Sequence, residues 1–172
     1  ANPLERVTDV TGRWGLRLLL ITLAVTPLRR LTGWNPLLGL RRMLGLFAFF
    51  YVTLHFLTWA WLDQQLSWGS IFSDIVKRPF VTVGFAAWLL LVPLALTSSR
   101  GMMRRLGRHW QRLHQAIYAV AALGVLHYIW LVKADLLEPL IYAGVLAMLV
   151  AVRWRPQLLT RFTWGGRPIN AR

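Results

Sequence analysis

The sequence predicts an all-α polytopic membrane bundle, with five transmembrane helices in this chain. Three observations predict it. The 172 residues are 56% hydrophobic with a mean hydropathy of +0.49, and the apolar residues gather into runs longer than a soluble core needs. The gaps between those runs alternate in charge. All six carboxylates (Glu5, Asp9, Asp63, Asp74, Asp135 and Glu138) fall in the first, third and fifth gaps. The second, fourth and last hold arginines without an intervening acid, among them Arg29, Arg41, Arg104, Arg108 and Arg153. Third, tryptophans cluster near the predicted span ends, as in an aromatic belt. Because Lys and Arg flanking spans are retained on the cytoplasmic face, the amino terminus is expected outside and the carboxyl terminus inside.

Taken in order, Trp14–Leu28 is the weakest span, because it contains Arg17. That side chain is expected to snorkel to the outer head groups. Leu44–Leu62 and Phe80–Leu96 satisfy the need for about 17 to 25 apolar residues, with Pro93 expected to kink the second near its end. His114–Val132 is the fourth. Leu140–Val152 is short, and becomes adequate if Leu136, Leu137 and Pro139 open the helix. The longest outer loop, Ser67–Pro79, is expected to carry a short surface helix. Residues 1–153 thus read as one transmembrane domain, and 154–172, with Pro156, Gly165, Gly166 and Pro168, as a basic cytoplasmic tail. Five spans with an external start imply a leading helix before this chain, giving six in the full protein.

Composition excludes several chemistries. The net charge of +14 invites a nucleic-acid reading, but the arginines stand at the ends of apolar runs, where topology and anionic lipid account for them. No nucleic-acid partner is expected. With no cysteine, disulfides, iron–sulfur clusters and thiolate metal sites are ruled out.

Ionisable side chains inside spans are costly, so each is a functional candidate. His55 lies about 12 Å below the outer boundary near Asp63, and His127 about 9 Å below Lys133, at about 1.5 Å per residue. Both sit in strongly apolar surroundings, and no span contains a carboxylate for a proton relay. Two imidazoles at matched depth on two helices are what a membrane haem needs as axial ligands. The bland alternative is a hydrogen-bonding role between helices. Gly124, one turn before His127, leaves room either for a porphyrin face or for close helix packing.

A second layer lies nearer the cytoplasm. His114 precedes His127 by thirteen positions, which places it about 20 Å away but about 140° off its face on an ideal helix. A bend or bulge would have to correct that. His114 therefore reads either as an inner haem ligand or as a structural or flavin-contacting residue. Arg41 precedes His55 by fourteen positions, close to the same helix face, where it suits haem propionates or a flavin phosphate. His109, among Arg104, Arg105, Arg108 and Arg112, is an interfacial residue beside lipid phosphates or part of a docking surface for a flavin or quinone head group.

These residues resemble a known family. Thr26–Pro27–Leu28–Arg29–Arg30, Arg41–Arg42–Met43–Leu44–Gly45–Leu46, Thr53–Leu54–His55, the string Leu106 to His114, and His127–Tyr128 are similar to the MsrQ haem-binding membrane subunits. That family belongs to the ferric-reductase-like transmembrane superfamily. The resemblance covers nearly the whole chain, and the string Leu106 to His114 followed by His127–Tyr128 is its specific part. It implies a bacterial inner-membrane protein that binds b-type haem, one or two per chain, with FMN as a further cofactor. Electrons would come from a cytoplasmic flavin reductase or quinol and pass to the periplasmic molybdopterin enzyme MsrP, which reduces methionine sulfoxide in proteins. His55, His114 and His127 match the family's haem-ligand histidines. Arg41 falls where larger superfamily members carry a further histidine, so their pattern is incomplete here. Two rivals remain: a stand-alone reductase of ferric ion or oxygen, for which the chain lacks a Gly-rich dinucleotide fingerprint, and a non-redox scaffold.

Overall fold

The computed structural model describes residues 3–132 and 135–155, leaving aside the side chain of Leu4. Residues 156–172, most of the expected basic tail, lie outside the described residues, as does Lys133. Among the described residues the chain is helical with no strand. The helices are α1 (Pro3–Thr32), α2 (Leu37–Thr58), α3 (Trp68–Lys77), α4 (Pro79–Leu96), α5 (Arg100–Leu106), α6 (Arg108–His114), α7 (Ile117–Leu131) and α8 (Leu137–Trp154). A π-helical turn over Trp59–Asp63 prolongs α2.

Four segments are long and apolar enough to cross a membrane: Leu37–Asp63, Pro79–Leu96, Arg108–Leu131 and Leu137–Trp154. Large apolar side chains stay exposed along them, Phe50, Leu96, Leu137 and Met148 included, as a lipid-facing surface requires. The chain is therefore a polytopic helical membrane protein. The fifth expected span, within α1, falls short of that apolarity because Arg13 and Arg17 interrupt its run. Its surroundings explain why it can. Leu16, Leu20 and Leu23 pack with Ala121, Val125 and Leu146 of α7 and α8. Leu19 joins Ala48, Leu91, Leu94 and Val120 of α2, α4 and α7. The least apolar long helix is thus the one most enclosed by protein, and protein can partner its charges where lipid cannot.

The packing is antiparallel in pairs. Against α1, Gly15 meets Val52 and Gly45 meets Thr22, so α2 returns along it. Against α4, Gly84 meets His127 and Thr97 meets His114, so α7 returns along that. The carboxylates therefore collect at one end of the bundle and the loop arginines at the other. α4 continues through Pro93 to Leu96, with the Thr97 hydroxyl donating to the Pro93 carbonyl at 2.7 Å. The surface helix expected in the Ser67–Pro79 loop is α3. The fourth span is interrupted at Gln115–Ala116, between α6 and α7.

Arg17 does not snorkel to lipid. Its Nη2 meets Glu138 Oε1 at 2.8 Å and its Nε donates to the Tyr142 hydroxyl at 2.6 Å. A guanidinium in low-dielectric surroundings gains more from a carboxylate within reach than from a strained path to water.

Candidate functional site: a paired-histidine cavity

His55 on α2 and His127 on α7 converge near the acidic end, with ring centres 6.1 Å apart and planes crossing at 76°. Each ring is fixed from behind by a different helix. His55 Nδ1 lies 2.8 Å from the Thr8 carbonyl of α1, and His127 Nδ1 lies 2.7 Å from the Phe80 carbonyl of α4. A carbonyl oxygen can only accept, so both Nδ1 atoms carry the proton and donate it. Each Nε2, across the ring from its clamp, is then the bare nitrogen, and both rings line one cavity.

One turn beyond each carbonyl stands a glycine that lets the ring approach. A Cβ at Gly12 would lie 2.8 Å from His55 Nδ1, and one at Gly84 would lie 2.7 Å from His127 Nδ1. The two clamps repeat one design, a carbonyl at position i and a glycine at i+4, with 47 residues from carbonyl to histidine in both. No helix propensity favours those glycines, since Gly in a helix interior costs about 1 kcal/mol relative to Ala.

The cavity between the clamps has a volume of ≈ 350 Å³, within the usual span of about 300–1,000 Å³ for small-molecule sites. Its walls are apolar or aromatic for most of its depth, including Leu16, Val52, Phe85 and Val120. Phe56 and Trp88 stack at 4.6 Å on one side, and the Trp88 indole donates to Thr53 Oγ1 at 3.2 Å. Gly124 lines the cavity and also faces Leu16 of α1, where a Cβ would lie 3.4 Å from Leu16 Cδ1. The charged lining (Glu5, Asp9, Arg13, Asp63 and Arg78) is gathered at the mouth.

This donor set fits a haem iron. His55 and His127 would hold it, each through a neutral imidazole whose Nδ1–H is already donated to a backbone carbonyl, the kind of partner that metal-binding histidines characteristically have.

The remaining sequence candidates lie elsewhere. His114 is not brought to His55 or His127. Its Nε2 lies 3.1 Å from Thr97 Oγ1, and its ring stacks on Trp110 with centres 4.0 Å apart. His114, the last residue of α6, thus meets Thr97 just after α4, while His127 meets α4 at Gly84, and the turn at Gln115–Ala116 separates the two segments. Arg41 contacts Thr26 Oγ1 at 3.5 Å. His109 sits exposed on α6 at the arginine-rich end.

A polar cluster beside the mouth carries no obvious sequence signal. Glu138 accepts from Tyr128 at 2.9 Å, from Tyr142 at 2.6 Å and from Arg17, with Arg13 at 3.4 Å. Arg13 also pairs with Asp9. The cluster joins α1, α7 and α8 next to His127; Arg17 inside the first expected span was the one feature of it that the sequence singled out, and its partner Glu138 was not foreseen.

Comparison with known proteins agrees with this architecture. Residues 11–125 match the family model described as ferric reductase like transmembrane component. The chain is 56% identical over 163 residues to the protein-methionine-sulfoxide reductase heme-binding subunit MsrQ of Xanthomonas campestris pv. campestris (strain 8004), covering 95% of this chain and 75% of the relative. It is 59% identical over 162 residues to the protein of the same name from Rhodospirillum rubrum, covering 94% and 78%. Against that of Xanthomonas axonopodis pv. citri it is 54% identical over 167 residues, covering 97% and 77%. No solved structure matches. Paired intramembrane histidines in a helical bundle, a family model over two-thirds of the chain and relatives of this similarity together mean that the chain belongs to the MsrQ family of ferric-reductase-like transmembrane components.

Proposed function

We propose that this chain binds one b-type haem between His55 and His127 and carries electrons across the bacterial inner membrane. They would pass from a cytoplasmic flavin or quinol donor to MsrP, the periplasmic molybdopterin enzyme that repairs methionine sulfoxide. The observation that carries the haem assignment is the pair of Nδ1–H···O=C clamps, which leave two unprotonated Nε2 atoms bordering one apolar cavity. The family's own printed name, a heme-binding subunit of protein-methionine-sulfoxide reductase, supports the same cofactor and system.

Bound haem supplies reversible one-electron storage; the chain supplies the rest. Thr8 and Phe80 hold the ligand tautomers and orientations, and raise the basicity of each Nε2. Leu16, Val52, Phe56 and Trp88 line the cavity and would keep water from a bound haem. The arginine-rich end faces the cytoplasm by the charge rule, with the tail on that side. There His114 and Arg41 serve as the contact for the donor, because His114 Nε2 is engaged by Thr97 and lies apart from the cavity that His55 and His127 line. A flavin phosphate, FMN included, suits Arg41 and the arginines of α5 and α6. Sulfoxide reduction itself is assigned in this reading to the partner, and this chain to carrying the electrons.

The test is the visible spectrum of detergent-purified protein, oxidised and dithionite-reduced, with haem counted per chain. One haem per chain, with the reduced b-type spectrum abolished in His55→Ala and in His127→Ala, is expected. A colourless folded protein from a haem-replete host would overturn the reading. Two haems per chain, falling to one in His114→Ala, would restore His114 as an inner ligand.

A further inference from the structure

Helix α3 lies between two spans, and three of its large apolar residues are strongly exposed. Trp68, Phe72 and Val76 are 82%, 71% and 65% exposed and follow one another at four-residue steps, so they form a single stripe. Ile71 beside the stripe is buried against the protein. Ser70, Ser73 and Lys77 lie on the opposite side, giving an apolar arc of about 140° against a polar remainder at about 100° per residue.

We propose that α3 lies in the plane of the membrane interface, its Trp68–Phe72–Val76 stripe sunk into the acyl boundary of the lipid. Its tethers decide the occupant. Only residues 64–67 join it to the end of the α2 span, and only Arg78 joins it to Pro79 at the start of the α4 span. Four extended residues reach at most about 14 Å, so α3 cannot leave the level at which two spans end. The link turns sharply, with Gln65 and Leu66 both at positive φ (49° and 55°), so α3 does not continue the helix of the α2 span. Gln64 and Arg78 both hold Asp74, at 2.9 and 3.4 Å, fixing the rotation about the α3 axis that leaves the stripe outward. Exposed Trp61, in the π turn, carries the aromatic belt up to the same level. Apolar stripe, polar back, a lysine at the end and an enforced interfacial depth are the properties of a helix that lies on lipid.

The anchor bears on the cavity. Arg78 and Phe80 directly follow α3, one lining the cavity mouth and the other clamping His127, and Thr82 Oγ1 donates to the Ile75 carbonyl. Lipid holding α3 therefore holds the segment that positions one ligand ring.

The chain has no cysteine, so single-cysteine spin labels report without background. Labels at Phe72→Cys and Val76→Cys, in nanodiscs of phosphatidylethanolamine and phosphatidylglycerol, should collide several-fold more with oxygen than a label at Ser73→Cys. They should collide several-fold less with a water-soluble nickel chelate. Equal nickel access at all three sites would overturn the proposal by placing α3 in water. Shielding of Phe72→Cys and Val76→Cys from both reagents would overturn it in favour of a protein covering the stripe. Should a variant not fold, doxyl-labelled lipid around the unsubstituted protein decides: selective NMR broadening at residues 72 and 76 is expected, and none there refutes it.

Discussion

Replacing Gly84 with alanine tests the logic of the histidine clamp. The added Cβ would stand 2.7 Å from His127 Nδ1, 2.9 Å from Cε1 and 3.2 Å from Cγ, where ordinary contact begins at 3.4 Å. The ring must therefore retreat from α4 by about 0.7 Å, since the backbone of a packed helix yields less readily than a side chain. The Phe80 carbonyl lies on the same helix one turn earlier. Retreat stretches its 2.7 Å bond to about 3.4 Å, beyond the roughly 3.2 Å at which N–H···O bonds end. The lost bond is worth about 0.5–1.5 kcal/mol and the overpacking about 1–3 kcal/mol. A sum near 3 kcal/mol corresponds to about a hundredfold in affinity, at about 1.4 kcal/mol per decade. Loss of an outer-shell partner alone typically weakens a metal site by about 10–100-fold. The assay is haem retained per chain during transfer to an apo-globin acceptor, with the midpoint potential of what remains. Gly144→Ala, where nothing lies within 4 Å, is the control and should be neutral or stabilising by up to about 1 kcal/mol. Unchanged retention and potential in Gly84→Ala would refute the clamp argument.

Gly12→Ala should weaken haem retention in parallel, because its Cβ would meet His55 Nδ1 at 2.8 Å; a full complement of haem in that variant would make the two clamps unequal. Glu138→Ala removes the acceptor shared by Tyr128, Tyr142 and Arg17. With the ion-paired side chains about a third exposed, the expected loss is about 1–2 kcal/mol, read as a lower thermal midpoint in detergent; an unmoved midpoint would show the cluster to be idle. Thr53→Val deletes the mid-span bond from Trp88 and should cost about 0.6 kcal/mol in a detergent unfolding titration, with a loss above about 2 kcal/mol contradicting a simple hydrogen bond. His114→Ala should keep the haem and its spectrum while slowing reduction by reduced flavin or quinol, measured by stopped-flow; halved haem content would reverse that assignment.

The sequence made four of the spans legible, because apolar runs of span length admit few other structures and their charged flanks mark the ends. The convergence of His55 and His127 was also foreseeable, since their depths follow from helical rise alone. Burial of α1 was not. Hydropathy registers what a helix contains, whereas the lower apolarity of α1 is tolerated because neighbours such as Glu138 and Tyr142 surround it. Gly12 and Gly84 were equally silent: a helical glycine signals close approach, but not to what. The acceptors of the clamps are backbone carbonyls of Thr8 and Phe80, which every residue type possesses. The break between α6 and α7 has no proline or glycine to announce it, and it decides where His114 points.

Each clamp is completed within one antiparallel helix pair: His55 by α1 and α2, His127 by α4 and α7. Tautomer and ring orientation are therefore settled separately in two parts of the chain, in the order in which those parts enter the bilayer. Neither pair alone carries both rings, so the paired-histidine site exists only once the two pairs have packed against each other. A group held between the rings would act as a staple across that seam, and a fault in the packing of either pair would cost the whole site.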